Sequence, residues 1–405
     1  MLAPIRLLTG LISLGLLAAA AHLLWSWQEG YAYLGEDGRL YRSREDWRLW
    51  TALALGAWSF LGRFAVTGLL GSRDDRHVPL EAGPGVDRPG AGGARLHVEE
   101  VGPERAPAII FTHGWGMDRT YWRYARADLQ DRFRLVLWDL PGLGRSRAGD
   151  RAGVTLEAMA ADLAGLVETA PGRPVLVGHC IGGMVIQTLL RDRPDVAGRI
   201  AGVVLLNTTY TNPVRTMAFS PAMRALQKPV LEPVMHLNLW LKPLAWLANW
   251  QAYLSGSTHL AMRFGFGRRA PRSQLEQAAL LMTRNSPSIQ ALGNVAMFRW
   301  DSGEALRGYR GPVLIVAGGM DLLTRPDASR EMAAMAGGGA RLEVVPDANH
   351  MGPQEAAGHY NALIADFVLS VQPAAAADGP KRAAEAGTRT GPPSSVDREA
   401  RAPLA

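Results

Sequence analysis

The chain has 405 residues, with 43 Lys and Arg against 37 Asp and Glu, so its formal net charge at neutral pH is only +6. No run of basic residues stands out, which argues against a nucleic-acid partner and favours affinity for a membrane surface. The single cysteine excludes an intramolecular disulfide bond and a Cys-x-x-Cys metal site. A reactive thiol also survives best in a reducing compartment.

Two long apolar segments open the chain, at residues 7–27 and 49–70. The first contains a single ionisable residue, His22, and at about 1.5 Å per residue it would extend about 31 Å, enough to cross the hydrocarbon core of a bilayer. The second is interrupted only by Arg63, which lies near enough to its end for the long side chain to reach the membrane interface. Tyrosines and tryptophans gather between the two segments, as expected at one end of a membrane hairpin.

These segments leave alternatives open. The first also resembles a cleavable signal peptide, because residues 18–21 are all alanine, although the apolar run continues to Trp27. The second would also suit a helix that lies in the membrane interface. Arginines flank both ends of the hairpin, so they do not fix its orientation. We predict a membrane anchor at residues 1–70 and expect the remaining chain in the cytoplasm.

Composition divides the remaining chain. Residues 71–93 are polar and rich in Gly and Pro, which predicts a linker, and residues 373–405 have almost no large apolar side chain, which predicts a disordered tail. Between them, apolar runs alternate with helical patterns, as in an α/β fold with a mostly parallel sheet and helices on both faces. The predicted strands are 96–101, 108–112, 135–138, 175–177, 203–206, 313–317 and 342–345.

The sequence GHCIGG at residues 178–183 follows one of these strands and precedes a helical run. This is the pattern of a tight strand-to-helix turn that presents a nucleophile, with Gly178 and Gly182 where side chains would not fit. Cys180 occupies the position that usually holds serine. A lone cysteine is by default a small buried apolar residue, but this placement favours a nucleophile.

The strand at 108–112 is followed by HGWG at residues 113–116, a motif that resembles an oxyanion loop. Its residues are His113, Gly114, Trp115 and Gly116. We predict that the backbone N–H groups of Trp115 and Ile181 stabilise the oxyanion, where one lost donor typically costs about 3 kcal/mol. After the next strand comes DLPGLGRS at residues 139–146, in which we interpret Asp139 as a structural residue that fixes the loop.

Two further strand ends supply an acid and a base. Asp321 follows the strand at 313–317, and His350 follows the strand at 342–345. This is the order nucleophile, acid, base, in which Asp321 would hold the imidazole and His350 would take the thiol proton. His359 and Asp347 are the rival base and acid.

Together these motifs resemble the α/β-hydrolase superfamily over about residues 94–369, and the G-x-C-x-G-G box is similar to those of polyhydroxyalkanoate synthases and dienelactone hydrolases. The resemblance implies a core at 94–210 and 311–372, a helical cap at 211–310, and an acyl-enzyme on Cys180 formed without a cofactor or metal. Trp240, Trp246 and Trp250 lie in this cap. They fit either its own core or a surface that binds lipid or an acyl chain.

The leading hypothesis is therefore a membrane-anchored enzyme that cleaves an ester or thioester of an apolar acyl group. An acyltransferase with the same three catalytic residues is the second hypothesis, and a non-catalytic, membrane-tethered binding protein is the third. The expected partners are a small or lipid-like acyl substrate and a membrane. The sequence specifies neither the acyl group, the acceptor nor the oligomeric state.

Overall fold

The computed structural model describes residues 3–74, 76, 78–79, 83–149 and 153–372, with the side chains of 3–6 excluded. The tail predicted at 373–405 lies outside these residues, as do parts of the predicted linker.

The N-terminal region is a helical hairpin. Its elements are α1 (Ala3–Glu29), β1 (Tyr31–Leu34), β2 (Leu40–Ser43) and α2 (Asp46–Leu70). The two short strands pair in antiparallel fashion, so the helices return side by side. Both helices are long and apolar enough to cross a membrane, and most of their surface is left uncovered by the rest of the protein.

An eight-stranded sheet forms the centre of the molecule. Its strands are β3 (Val86–Pro89), β4 (Arg95–Val101), β5 (Ala108–Thr112), β6 (Arg134–Trp138), β7 (Val175–His179), β8 (Gly202–Leu206), β9 (Val313–Gly318) and β10 (Ala340–Val345). The spatial order is β10-β9-β8-β7-β5-β6-β4-β3, and only the pairs β3–β4 and β4–β6 are antiparallel. Every residue of β5, β7, β8 and β9 is buried, which explains their unbroken apolar sequences.

Helices cover both faces of the sheet. The core helices before the cap are α3 (Arg123–Leu129), α4 (Leu156–Thr169), α5 (Ile181–Asp192) and α6 (Pro194–Ala197). The core helices after the cap are α15 (Pro326–Met335), α16 (Gly352–Glu355) and α17 (Ala357–Val371). Alternate strand residues enter separate cores: Val203 packs on the side of α4 and α5, and Val204 packs on the side of α3 and α17. The predicted α/β-hydrolase fold is therefore confirmed.

The cap lies between β8 and β9. Its helices are α7 (Pro213–Thr216), α8 (Ser220–Leu226), α9 (Glu232–Trp240), α10 (Lys242–Leu254), α11 (Ser257–Arg263), α12 (Arg272–Arg284), α13 (Pro287–Arg299) and α14 (Ala305–Gly308), with a π-helical turn at Gln227–Leu231. This segment has the helical character that its sequence predicts.

The structure differs from the sequence prediction at the linker. Residues 86–89 form the edge strand β3, and Ser72 pairs with the cap through its N–H to Ala270 O (2.8 Å) and its carbonyl to Arg272 N–H (3.0 Å). The strand was not predicted because it contains a charged pair and ends in proline, a sequence that is tolerated only at a sheet edge.

Candidate active site

Cys180 lies at the turn between β7 and α5 in a conformation that L-residues rarely adopt, with φ 55° and ψ −118°. Such a backbone costs about 1–3 kcal/mol and persists only where the surroundings enforce it. Here the Cys180 N–H donates to Leu206 O (3.0 Å), and Thr208 Oγ1 donates to the Cys180 carbonyl (2.6 Å). The neighbouring strand therefore holds the thiol at the end of the sheet.

The glycines around Cys180 are required by close packing. A Cβ atom on Gly178 would lie 2.5 Å from the carbonyl carbon of Gly182, and one on Gly182 would lie 2.2 Å from Thr112 O. No side chain fits at either position without displacing backbone, so the two glycines let α5 approach β5 and β7.

Asp321 and His350 meet at the ends of β9 and β10. The distance between His350 Nδ1 and Asp321 Oδ2 is 3.0 Å. Asp321 also accepts hydrogen bonds from the N–H groups of Leu323 and Thr324, from the Thr324 hydroxyl (2.6 Å) and from Asn207 Nδ2 (3.1 Å). Burial alone would raise the pKa of Asp321, but the charge of His350 and these hydrogen bonds outweigh it and lower the pKa.

The thiol of Cys180 is hydrogen-bonded to the imidazole of His350, which Asp321 contacts on its Nδ1 side. Burial disfavours the thiolate, but the charge of His350 and hydrogen bonds from His350 and from the N–H of Ile181 lower the pKa of Cys180. Burial likewise disfavours the imidazolium, but Asp321 and Cys180 raise the pKa of His350 well above its ordinary value. The two shifts favour one state of the pair, a thiolate beside an imidazolium.

The two histidines that flank the base position have other partners. His179 donates from Nε2 to His350 O (2.8 Å) and stacks on Tyr121, and burial together with the charge of His350 lowers its pKa to about 3. His113 donates from Nδ1 to Gly114 O (2.9 Å) and accepts at Nε2 from Leu140 N–H (3.0 Å). Both therefore stay neutral and connect loops of the site.

The rival base and acid lie apart from the thiol. His359 is exposed on α17, and Asp347 is exposed and pairs with Arg268 (3.1 Å). Asp139 is buried and accepts from the N–H groups of Arg119 (2.7 Å) and Arg145 (2.8 Å), so it closes the loop that follows β6. This is the structural placement that its motif indicates.

The loop at residues 113–116 is attached to the cap. Trp115 donates from Nε1 to Gln290 O (3.0 Å), and Asn285 Nδ2 donates to Gly116 O (2.7 Å). Gly116 has φ 78°, and a Cβ atom there would meet the Met282 sulfur at 2.2 Å. A Cβ atom on Gly114, the residue before Trp115, would lie 3.5 Å from Cys180 Cβ, and the N–H of Ile181 is hydrogen-bonded to the thiol.

An apolar cavity of about 100 Å³ adjoins Cys180 and His350. Methionine dominates its lining, at Met117, Met184, Met262, Met282, Met297 and Met351. Trp240, Trp246 and Trp250 are not among the described residues that line this cavity. Trp240 is 83% exposed on α9 and Trp246 is 53% exposed on α10, so both lie on the outside of the cap. Trp250 is half-buried and packs against the cap interior beside Tyr253.

Several residues of the site escaped sequence reasoning. Asn207 has φ 45° and connects Asp321 to Asn349 O (3.0 Å) and to the Tyr360 hydroxyl (3.0 Å). Its position directly after a buried strand was a usable signal, because functional loops gather there. The cavity methionines gave no such signal, since they come from six separate helices and loops. Within the described residues, no group of three or more His, Cys, Asp or Glu side chains is arranged to hold a metal ion.

The fold and this arrangement agree with a comparison to protein families. The sequence pattern of the alpha/beta hydrolase family matches residues 109–362. This range covers more than half of the chain, from β5 to α17, and the protein therefore belongs to the alpha/beta hydrolase family.

Individual relatives are hydrolases and an acyltransferase component. The pimeloyl-[acyl-carrier protein] methyl ester esterase of Nitrosospira multiformis is 26% identical over 64% of this chain and 93% of its own length. The dihydrolipoyllysine-residue acetyltransferase component of the acetoin cleaving system of Cupriavidus necator is 32% identical over 64% of this chain and 63% of its own length. A thermophilic esterase structure from Thermogutta terrifontis has a TM-score of 0.57 at 25% identity, covering 71% of this chain and 99% of its own. These similarities support hydrolase activity.

Proposed function

We propose that the protein is a membrane-anchored hydrolase that cleaves an ester or thioester through Cys180, His350 and Asp321. The observation that carries this proposal is the continuous contact from thiol to imidazole to carboxylate, with His350 Nδ1 at 3.0 Å from Asp321, at the end of an apolar cavity. A buried carboxylate that orients the base is the arrangement of an acyl-transfer site.

The chemistry follows from the charges of the pair. The Cys180 thiolate attacks the carbonyl carbon of the substrate, and the N–H groups of Ile181 and Trp115 stabilise the negative oxygen that forms. The His350 imidazolium then donates its proton to the leaving alkoxide or thiolate as the tetrahedral intermediate collapses to a thioester. A water molecule gives its proton to the neutral His350 and attacks the thioester, which releases the acid and restores the thiolate and imidazolium pair.

The cavity favours an apolar acyl group, because its lining offers thioethers and few polar atoms. The membrane hairpin is part of the same proposal. Helices α1 and α2 are long and apolar enough to span a bilayer, and the turn between them is charged at Glu36, Asp37, Arg39, Arg42 and Arg44. Such a turn is stable only in water.

Acyl transfer is a second candidate, since a thioester enzyme also reacts with alcohols, amines and thiols. The Cupriavidus necator relative, which is 32% identical, is named for acetyl transfer. The product decides between the two: hydrolysis gives the free acid at all concentrations of an added alcohol, whereas a transferase gives mainly the new ester.

The test is to trap the acyl-enzyme. Full-length protein in detergent is mixed with p-nitrophenyl esters of increasing chain length, quenched in acid and measured as intact mass. We expect an added acyl mass on Cys180 in the wild type and none in Cys180→Ala, which should fold normally because alanine is smaller than cysteine. Asp321→Asn, which disturbs the imidazole tautomer, should slow acylation by about 10⁴-fold. Turnover by Cys180→Ala at the wild-type rate would refute the nucleophile.

A further inference from the structure

The hairpin and the cap are packed directly against each other. The hydroxyl oxygens of Ser13 on α1 and Ser255 after α10 are 2.9 Å apart. On α2, the carbonyl of Ser59 accepts from Gln251 Nε2 (3.0 Å), and Arg63 Nη1 donates to the Tyr253 hydroxyl (2.7 Å). Arg63, expected to reach for the membrane interface, is instead paired with the cap.

Small residues make this contact close. A Cβ atom on Gly10 would lie 2.6 Å from Ala248 O, and one on Gly62 would lie 2.5 Å from Ser255 O. Backbones approach this closely at packed helix interfaces within membranes, where small residues replace large ones. The hairpin and α10 are therefore packed as one unit, so the depth of the hairpin in a bilayer determines the depth of the cap.

The position of the contact along each helix gives that depth. From Ser13 to the end of the first apolar segment at Trp27, α1 extends about 21 Å at 1.5 Å per residue, and from residue 49 to Gly62, α2 extends about 20 Å. The hydrocarbon core is about 30 Å thick. Because the charged turn must emerge in water on the far side, the remaining 10 Å or so is spanned by the parts of α1 and α2 that touch the cap.

The cap surface near this contact is apolar and exposed. Its residues, here called the cap apolar face, are Leu237, Trp240, Leu244, Trp246, Leu247 and Leu260, and each is at least 41% exposed. From Pro243 to the end of α10 there is no charged residue. A soluble protein rarely leaves such a patch uncovered.

We propose that the cap apolar face is embedded among the acyl chains of one leaflet, beside the hairpin. The inference rests on the anchored form proposed above and adds a second element that contacts the membrane. It also specifies the source of the substrate. Helix α11 lies between the hairpin and the cavity. At its start the Ser257 hydroxyl oxygen is 3.3 Å from that of Ser13 on α1, and near its end Met262 lines the cavity. The site therefore lies one helix behind the lipid, and its substrate class is an ester or thioester dissolved in the leaflet.

The experiment measures depth with nitroxide labels in full-length protein reconstituted into phosphatidylcholine vesicles. Cys180→Ser removes the native thiol, and single cysteines are then placed by Leu247→Cys and Leu260→Cys on the cap apolar face. Leu53→Cys marks α2 between the cap contact and the turn, and Val86→Cys, 56% exposed on β3, is the matched control on the core. For each label, the collision rate with oxygen, which concentrates in lipid, is measured and divided by the collision rate with a water-soluble nickel complex. This ratio is then compared between positions.

We expect the labels at residues 247, 260 and 53 to collide several-fold more with oxygen, relative to nickel, than the label at residue 86. Lipid exposure at 53 with water exposure at both 247 and 260 would overturn the embedded cap and leave the anchor standing. Water exposure at 53 would overturn the anchor and the embedded cap together. Two cap positions keep the result independent of a local disturbance by one label, and thermal unfolding checks that each variant is folded.

Discussion

The protonation state of one pair of residues governs the proposed chemistry. Cys180 and His350 are shifted in opposite directions, the thiol pKa down and the imidazole pKa up, although burial acts against both shifts. Burial takes both ions out of water, and the opposite charge of each partner compensates for the lost hydration. The carboxylate of Asp321 stabilises the imidazolium further. A serine in the same place would not ionise and would keep its proton, whereas with cysteine the proton resides on His350 before the substrate binds.

This pair predicts an unusual pH dependence of thiol alkylation by iodoacetamide. As pH falls, an ordinary thiol loses its thiolate once the pH passes below its pKa, but the lowered pKa of Cys180 preserves the thiolate to more acidic values. We therefore expect the wild-type rate to begin its fall at a lower pH than that of a free cysteine, whose alkylation slows about tenfold per pH unit below its ordinary pKa of about 8.5. The rate is measured by intact mass at each pH.

His350→Ala should reverse the direction of the pKa shift of Cys180. Without the imidazolium, burial becomes the largest influence and raises the pKa of Cys180, so alkylation should begin only at higher pH than in the unfolded chain. Wild-type protein in denaturant supplies the ordinary thiol as a reference. A wild-type profile that coincides with this reference would contradict the ion pair.

At the scale of elements, the junction of β5, β7 and α5 is limited by backbone contacts. Gly182→Ala places a methyl group 2.2 Å from Thr112 O, directly before the HGWG loop. Overpacking of this kind costs about 1–3 kcal/mol of unfolding free energy. We expect a lower melting temperature and a loss of activity, because the displaced strand carries Trp115 with it.

Gly165→Ala is the matched control for this change. Gly165 lies within α4 and a Cβ atom there meets nothing within 4 Å. Alanine in a helix interior is favoured over glycine by about 0.5–1 kcal/mol, so this variant should be slightly more stable and fully active. Equal melting temperatures for Gly182→Ala and wild type would show that the junction is looser than its geometry implies.

The same scale shows what the sequence can and cannot predict. Strands such as 203–206 were predictable because a parallel strand buried on both faces is a continuous apolar run, and the order of Cys180, Asp321 and His350 followed from motifs at strand ends. β3 was not, because its charged pair and terminal proline are untypical of a strand and its pairing depends on β4. For the tryptophans of the cap, the sequence left open both the cap's own core and a surface that binds lipid or an acyl chain, because composition shows that a helix is apolar but not which neighbour covers it.

At the scale of the whole molecule, removal of the proposed anchor should not release a freely soluble domain. Deleting residues 1–70 leaves every motif of the site intact, so hydrolysis of short soluble esters should persist. The deletion also uncovers Ala248 and Gln251 while the cap apolar face remains. We therefore expect the truncated protein to pellet with phosphatidylcholine vesicles.

Leu247→Glu in the truncated protein tests the cause of that binding. A charge on the cap apolar face should move the protein into the supernatant, whereas Val86→Glu, on a similarly exposed apolar residue of the core, should not. Truncated protein that stays in the supernatant without either substitution would contradict a cap that contacts lipid.

In the proposed hydrolase, the methionine lining of the cavity determines how wide a range of acyl groups the site accepts. Branched aliphatic side chains would fix the outline of the cavity, because they are stiff at their first torsion angle. Methionine is unbranched and turns about three bonds, so six of them around Cys180 can rearrange at small cost around straight, branched or cyclic groups. We expect an enzyme that distinguishes acyl groups by how readily they leave the lipid and only weakly by their outline. Under this proposal, the membrane selects the substrate before it reaches the cavity.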